Sequence, residues 1–232
     1  PFNEKELSEK HDSSLSLMVK NSFLQSCENL KVNHLDTFML HRAQQINNTY
    51  IFNELKKLKE EGLINCIGVS VQSPQELESV LHNQDVSIIQ MPYNILDYRW
   101  KAMIDEIKHE REQRSLIIHA RSALLQGLLC SDDGSKWQIA GVDNYGDIIS
   151  WLETKYKQHE KMSIADLCIS YVNSQEWIDS VVIGVDSEKN LFSNLQSISM
   201  PLMSNEALDD LTSSRPFVDA EALNPATWKI NV

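Results

Sequence analysis

Short apolar, β-branched runs alternate along this chain with longer stretches in which apolar residues recur every three or four positions. The first such stretch, Ser13–Lys31, carries Leu15, Met18, Val19, Phe23 and Leu24 at helical spacing. Leu35–Leu40 follows as a buried strand. Thr49–Glu61 returns to helical spacing through Tyr50, Ile51, Leu55 and Leu58, and Gly62 stops it. Ile64–Ser70 is the next strand. Ser73-Pro74 with Glu76 then opens a helix, because a side-chain acceptor, a first-turn proline and an early carboxylate all suit a helix N-terminus. Strand patterns recur at Val86–Gln90, Leu116–His119 and Asp179–Gly184. Helical ones recur at Trp100–Gln113, Ile148–His159, Ser163–Asn173, Ser187–Gln196 and Ala207–Thr212, while Ala123–Gly146 reads as a long irregular connection.

These strands are apolar throughout rather than alternating, which marks strands buried on both faces of a parallel sheet with helices outside. A doubly wound sheet and a (β/α) barrel both produce that pattern. The barrel is favoured because polar residues recur at strand ends: His41, Ser70, Gln90 with Asn94, Arg121 with Ser122, and Gly184. In a barrel those ends converge on one mouth, where chemistry is done. The phosphate-cradling motifs of doubly wound folds, GxGxxG and GxxxxGK[ST], do not occur. Residues 1–232 therefore read as a single α/β domain.

Composition narrows the function classes. With 42% hydrophobic and 23% charged residues, the 232-residue chain is ordinary globular protein, slightly short of the ~250 residues of a whole barrel. A net charge of −12 and scattered arginines exclude a basic nucleic-acid face. No apolar run reaches the ~18 residues of a membrane span. The polar start Pro1–His11 is unlike a signal peptide, so a cytoplasmic protein is expected. Cys66 and Cys168 lie in apolar stretches, which predicts reduced, buried thiols. At strand ends only His41 and His119 are candidate metal ligands, too few for a metal centre, and His119 reads as structural. Lys56–Glu61 is a solvated helix face, and Trp137, Tyr145 and Trp151 read as packing residues.

The order of the motifs resembles the aldo-keto reductase family. Asp36-Thr37-Phe38-Met39-Leu40-His41-Arg42 is similar to that family's fourth strand and its terminal catalytic histidine, and Gly62–Ser70 to the fifth. Ile89-Gln90-Met91-Pro92-Tyr93-Asn94 resembles the sixth-strand motif. Ala120-Arg121-Ser122-Ala123-Leu124-Leu125-Gln126-Gly127-Leu128-Leu129 resembles the seventh strand and its loop. Val181–Ser187, with Asn190 and Asn194, resembles the eighth strand and the helix that meets the cofactor's phosphate. Leu223–Trp228 is similar to the tails of bacterial members.

This resemblance implies a (β/α)8 TIM barrel that reduces an aldehyde or ketone, sugar-like substrates of the family's bacterial members included, by hydride transfer from NADPH, with NAD as the alternative cofactor. It implies His41 as a catalytic residue, and cofactor contacts at Ser70, Gln90, Arg121, Ser122, Leu124, Gln126, Gly127, Gly184, Asp186, Asn190 and Asn194. Three positions depart from the usual pattern. Val71 stands where an asparagine is frequent, Arg121 where a tyrosine stacks on the nicotinamide, and Lys189 is the one cation near Asn190. A guanidinium can both stack and pair with phosphate. The family's other catalytic residues, an aspartate, a tyrosine and a lysine, have no counterpart here, and Pro1-Phe2-Asn3-Glu4 resembles the segment that follows the lysine. They are expected upstream; otherwise the chain is a catalytically inactive, barrel-like binding or regulatory relative. A barrel short of three strands is also expected to leave open sheet edges and uncovered apolar surface. The resemblance implies neither the substrate nor the oligomeric state.

Overall fold

A computed structural model describes residues 12–228, so the expected counterpart at Pro1–Glu4 lies outside the described residues. Two compact units are present. One runs to Met91 and includes Ala102–Ile118; the other comprises Pro92–Lys101 and the chain from His119 onward.

The first unit is built from helix α1 (Asp12–Leu30), strand β1 (Leu35–Leu40), a 3-10 turn (Ala43–Asn47), α2 (Thr49–Glu60), β2 (Ile64–Ser70), α3 (Pro74–Leu81), β3 (Val86–Pro92) and α4 (Lys101–Gln113). Helix α1 buries Leu15, Val19, Phe23 and Cys27, each four residues from the last. The Phe23 ring meets Phe38 of β1 edge-on at 6.0 Å. Asn48 starts α2 by accepting the amides of Tyr50 and Ile51. Ser73 starts α3 as its sequence predicts, accepting the Glu76 amide, while the Glu76 carboxylate accepts the Gln72 amide at 2.7 Å.

Strands β1 and β2 pair in parallel, with Leu40 opposite Val69; β2 and β3 pair in parallel, with Ser70 opposite Gln90. Gly68 is required in the middle of β2. A Cβ there would lie 2.6 Å from Cγ of Met39, whose side chain crosses it from β1. Arg114 locks α4 in place: it pairs with Glu110 at 2.6 Å and donates to the carbonyls of Leu81 and Val86. His82 contacts the other Glu110 oxygen at 2.9 Å.

The second unit holds β4 (Ile117–Arg121), a 3-10 turn (Leu128–Cys130), α5 (Gly134–Ile139), α6 (Tyr145–Gln158), α7 (Ile164–Asn173), β5 (Ser180–Val182), α8 (Glu188–Ser199), α9 (Asn205–Ser214) and a last 3-10 turn (Pro225–Thr227). Strands β4 and β5 are parallel, with Arg121 opposite Val182. Among the described residues, strand order in the sheet is the chain order, β1 to β5. Helix α7 is apolar on nearly every side and is buried from Leu167 to Val172.

The segment Pro92–Lys101 is fixed by one buried carboxylate. Asp97 accepts a two-point fork from Arg99 at 2.8 and 2.6 Å and the Trp100 indole N–H at 3.1 Å. Its carbonyl accepts from Arg215, and Arg99 reaches on to the Leu223 carbonyl, so the same knot ties down the tail.

Four details differ from the sequence pattern. The stretch Ala123–Gly146 is not wholly irregular: Asp133 caps the short helix α5 through the Ser135 amide. Strand β5 has three residues, since Ile183 and Gly184 pass the last pair with β4. Strand β4 runs on to Arg121. Cys66 is half-buried, because its side of β2 is incompletely covered, whereas Cys168 is buried as expected. Trp137 is fully buried, its indole N–H held by the Ser131 carbonyl, which fits a packing role.

Removing the Asp97 carboxylate leaves the Arg99 guanidinium buried without its counter-ion. Asp97→Ala is therefore expected to lower unfolding free energy by about 3–5 kcal/mol, read from urea titration. The Glu110 carboxyl is held below its ordinary pKa of 4.5, first by the hydrogen bond from Arg114 and then by that from His82. A depressed pKa contributes stability that is full above pH 4.5 and is lost as pH falls through the lowered folded-state value. Glu110→Gln should thus flatten the acid limb of a melting-temperature profile below that pH. An unchanged acid limb would show that the network does not carry this dependence.

Candidate functional site

In the first unit the parallel register brings together the carboxyl ends of three strands. Leu40 is opposite Val69, and Ser70 is opposite Gln90. Side chains paired in a parallel ladder share a face, so Ser70 and Gln90 project to one side, and His41 follows the last paired residue of β1. Ser70 is buried, Gln90 half-buried and His41 exposed. The Val71 amide donates to the Gln90 carbonyl at 2.9 Å, which fixes the Gln90 backbone and leaves its side-chain amide to other partners. Val71 itself is fully buried. It supplies no polar side chain to the face, as its identity implies.

His41 also borders a pocket of about 190 Å³ at the β1 edge, between α1 (Val19, Ser22), Phe38–Leu40 of β1, and α2 (Ile51, Leu55). That is below the ~300–1,000 Å³ of small-molecule sites and far too small for a dinucleotide. The pocket brings together none of the other candidate residues.

In the second unit Arg121 ends β4. Its carbonyl accepts the Tyr93 amide at 2.9 Å, and its guanidinium reaches the Ser122 hydroxyl at 3.4 Å. Tyr93 went unassigned in the sequence, yet it braces this strand end. Its ring stacks on Tyr171, meets Trp177 edge-on at 4.9 Å, and its hydroxyl lies 3.1 Å from that of Tyr171. Burial, reinforced by Tyr171, pushes the Tyr93 phenol well above the ordinary tyrosine range. It stays protonated and acts as an anchor rather than as a proton donor.

Beyond Arg121 the backbone is left-handed at Ser122 (φ 63°), Leu125 (47°), Gln126 (56°) and Gly127 (79°). Three consecutive left-handed residues are costly, and their cost is borne by turns that close from Leu125 to Ser122 and from Leu129 to Leu124. The Leu124, Gln126 and Gly127 amides donate to no acceptor among the described residues. Successive free amides in such a turn make a concavity suited to an anion. A diphosphate is an anion of that kind.

The remaining candidates follow β5. Gly184, Asp186 and Asn190 are exposed, and Asn194 is half-buried. Ser187 caps α8 by accepting the Asn190 amide at 3.1 Å, which leaves the first-turn amides open to an anion. Asp186 and Glu188 bring negative charge there, with Lys189 as the local cation. Two sets result, one in each unit: His41, Ser70 and Gln90 in the first, and Arg121 to Gly127 with Gly184 to Asn194 in the second. Among the described residues, no group of three or more His, Cys, Asp or Glu side chains is placed to hold a metal ion. None of the described helices is long and apolar enough to cross a membrane.

The profile of the Aldo/keto reductase family matches residues 5–214. An uncharacterized oxidoreductase of Bacillus subtilis, YqkF, is 21% identical over 205 residues, covering 84% of this chain and 65% of that protein. Among solved structures, the holo form of aldo-keto reductase AKR11C1 from Bacillus halodurans superposes with a TM-score of 0.70. It is 19% identical, over 89% of this chain and 70% of its own. Glycerol dehydrogenase AKR11B4 from Gluconobacter oxydans gives 0.66 at 19% identity, over 88% of this chain and 67% of its own. An aldo/keto reductase from Klebsiella pneumoniae, solved with NADP and acetate, gives 0.63 at 19% identity, over 86% and 65%. The chain thus spans somewhat less than two thirds of the curated relative it matches.

The left-handed loop provides a direct check on its own backbone. A Cβ at Gly127 meets no atom within 4 Å, so Gly127→Ala incurs only the conformational cost of positive φ, about 1 kcal/mol. A melting-temperature loss much larger than that implies, seen by calorimetry, would mean that the turn is held more tightly than its hydrogen bonds indicate.

Proposed function

The chain belongs to the aldo/keto reductase family, and from that premise we propose that the complete protein is an NADP(H)-dependent reductase of a small aldehyde or ketone, sugar-like substrates included. The five strands are read as part of an eight-stranded (β/α) barrel, acting in the cytoplasm. The observation that carries the proposal is the pairing of Ser70 with Gln90 at the ends of β2 and β3, with His41 next in the chain after the last paired residue of β1. A carbonyl reductase needs such a cluster of donors at strand ends.

When bound, the nicotinamide cofactor supplies the hydride. The chain's own residues bind and orient. Ser70 and Gln90 offer a hydroxyl and an amide to a carboxamide, and Arg121 offers a planar cation to a ring face or a phosphate. The amides of Leu124, Gln126 and Gly127, with the Ser122 hydroxyl, receive a diphosphate. Gly184, Asp186, Asn190 and Asn194 line the approach to the α8 N-terminus, where adenosine phosphate is read. NADP in preference to NAD rests on the family and on Lys189, with Asp186 and Glu188 opposing it. His41 presents an imidazole that donates a hydrogen bond to a carbonyl oxygen as negative charge develops there. The aspartate, tyrosine and lysine that complete the family's catalytic set have no counterpart in these 232 residues, so activity is proposed for the complete protein.

Titration of the complete protein with NADPH and with NADH, followed by fluorescence, tests the reading. Saturable binding that is tighter for NADPH is expected, and no binding of either would sink it. Arg121→Ala should weaken NADPH binding about 10- to 100-fold, the scale of a lost charge-assisted contact. His41→Ala should leave that affinity nearly unchanged while lowering kcat about 100-fold or more. Equal kcat in wild type and His41→Ala would remove His41 from the catalytic set. Binding without turnover on any carbonyl would favour the inactive relative.

A further inference from the structure

Glu76 makes one bond more than the start of its helix needs. A first-turn carboxylate commonly reaches back to one backbone amide, and Oε2 does so for α3 by accepting the Gln72 amide at 2.7 Å. The other oxygen, Oε1, accepts the side-chain amide of Gln44 at 3.0 Å, from a residue 32 positions earlier in the chain. These two partners follow two of the strand ends of the candidate site. Gln72 comes shortly after Ser70, and Gln44 shortly after His41. Both are firmly joined to the residue they follow. The Val71 amide donates to the Gln90 carbonyl at 2.9 Å, so the chain beyond Ser70 is held at consecutive amides, Val71 and Gln72. On the other side, the buried side chain of Gln45 accepts the Arg42 amide at 3.2 Å. The Gln45 amide donates to the Arg42 carbonyl at 3.2 Å, which closes a turn that begins directly after His41. Helix α3 packs against that turn.

We propose that Glu76 is a positioning residue, whose carboxylate bridges the turn after His41 to the loop after Ser70 and so sets where the imidazole stands relative to the Ser70 hydroxyl. The role rests on His41 meeting a carbonyl oxygen and Ser70 a nicotinamide carboxamide. His41 is exposed and lies one residue past the last pair of β1 with β2. Its backbone is therefore restrained by the ladder on one side and by the following turn on the other. Misplacing a reacting group by about 1 Å costs up to about 100-fold in rate, a shift that a single bridging carboxylate can prevent. The two bonds are separable. Losing the Gln44 bond frees the His41 side alone, and losing the carboxylate frees both sides. An amide in place of the carboxylate keeps both, because its oxygen accepts the Gln72 amide and its NH2 donates to Gln44 once the Gln44 amide turns over. Gln44→Glu breaks the bridge differently, by setting two carboxylates against each other with no donor between them. Combining Gln44→Glu with Glu76→Gln restores one donor and one acceptor across the same gap.

The test is a swap of the two residues in the complete protein. Gln44→Glu is expected to lower kcat about 10-fold while NADPH affinity stays within about twofold of wild type. Glu76→Ala should lower kcat by a similar factor and also weaken NADPH binding, since Ser70 loses its support. Glu76→Gln alone should stay within about twofold of wild type in both. The double variant Gln44→Glu/Glu76→Gln should regain wild-type kcat to within about twofold, a rescue that loss of fold or of a helix cap does not produce; melting temperatures verify that every variant folds. A kcat unchanged in Gln44→Glu, or a double variant no better than Gln44→Glu alone, overturns the proposal. Hydrogen exchange of the amides of Ala43–Asn47, read by mass spectrometry without nucleotide, tests the bridge apart from activity. Exchange should quicken about 10-fold in Gln44→Glu and return to the wild-type rate in the double variant, and equal rates in all three overturn the bridge. A complete protein that neither binds NADPH nor reduces a carbonyl sinks the reductase reading and the positioning role with it, while exchange still decides whether the bridge holds.

Discussion

Much of the structure rests on the parallel hydrogen-bonded ladder of β1, β2 and β3. Leu40 is set against Val69 and Ser70 against Gln90, past a register shift between Ile67 and Gly68, so the polar ends of β2 and β3 lie side by side. The ladder also demands close approach: Met39 crosses β2 where only a hydrogen atom is tolerated, and Gly68 provides it. Helices α1 and α2 bury one stripe each, Leu15, Val19, Phe23 and Cys27 on α1 and Ile51, Leu55 and Leu58 on α2. The polar strand ends are held by an apolar layer that they do not themselves stabilise.

Where the chain leaves the ladder, it relies on hydrogen bonds. The Asp97 knot fixes Pro92–Lys101, and its carbonyl and Arg99 hold Arg215 and Leu223. Tyr93 donates its amide to the Arg121 carbonyl and is itself wedged by Tyr171 and Trp177. The strained turn at Leu125–Gly127 follows directly. Left-handed backbone at leucine and glutamine persists only when its surroundings over-determine it, and such strain concentrates where a ligand is held. The cost is consistent with a loop selected for its amides.

The element boundaries were legible because hydrophobic period is a local property. Spacing of three to four marked α1, α2 and α7, and unbroken apolar runs marked β1 to β3, all within a residue or two of their observed ends. The cap at Ser73 was legible for the same reason, since acceptor, proline and carboxylate lie within four residues. Helix α5 escaped notice because it is six residues long and offers less than two turns of periodicity. Cys66 was misjudged because an apolar neighbourhood in sequence does not say which face of the strand is covered.

The sequence by itself determined that this is an α/β chain of parallel strands with polar residues at the strand ends, and its motif order pointed to the aldo/keto reductase family. Tertiary structure alone decided the rest. The register that sets Leu40 against Val69 and Ser70 against Gln90 depends on strands some twenty residues or more apart in the chain. The bracing of Arg121 by Tyr93, and of Tyr93 by Tyr171, joins residues 28 and 78 positions apart. Helix α8 turns the apolar stripe Leu191, Leu195 and Ile198 outward, which reverses what amphipathic spacing implies. Periodicity tells which residues share a side of a helix. Only packing tells whether that side finds a partner.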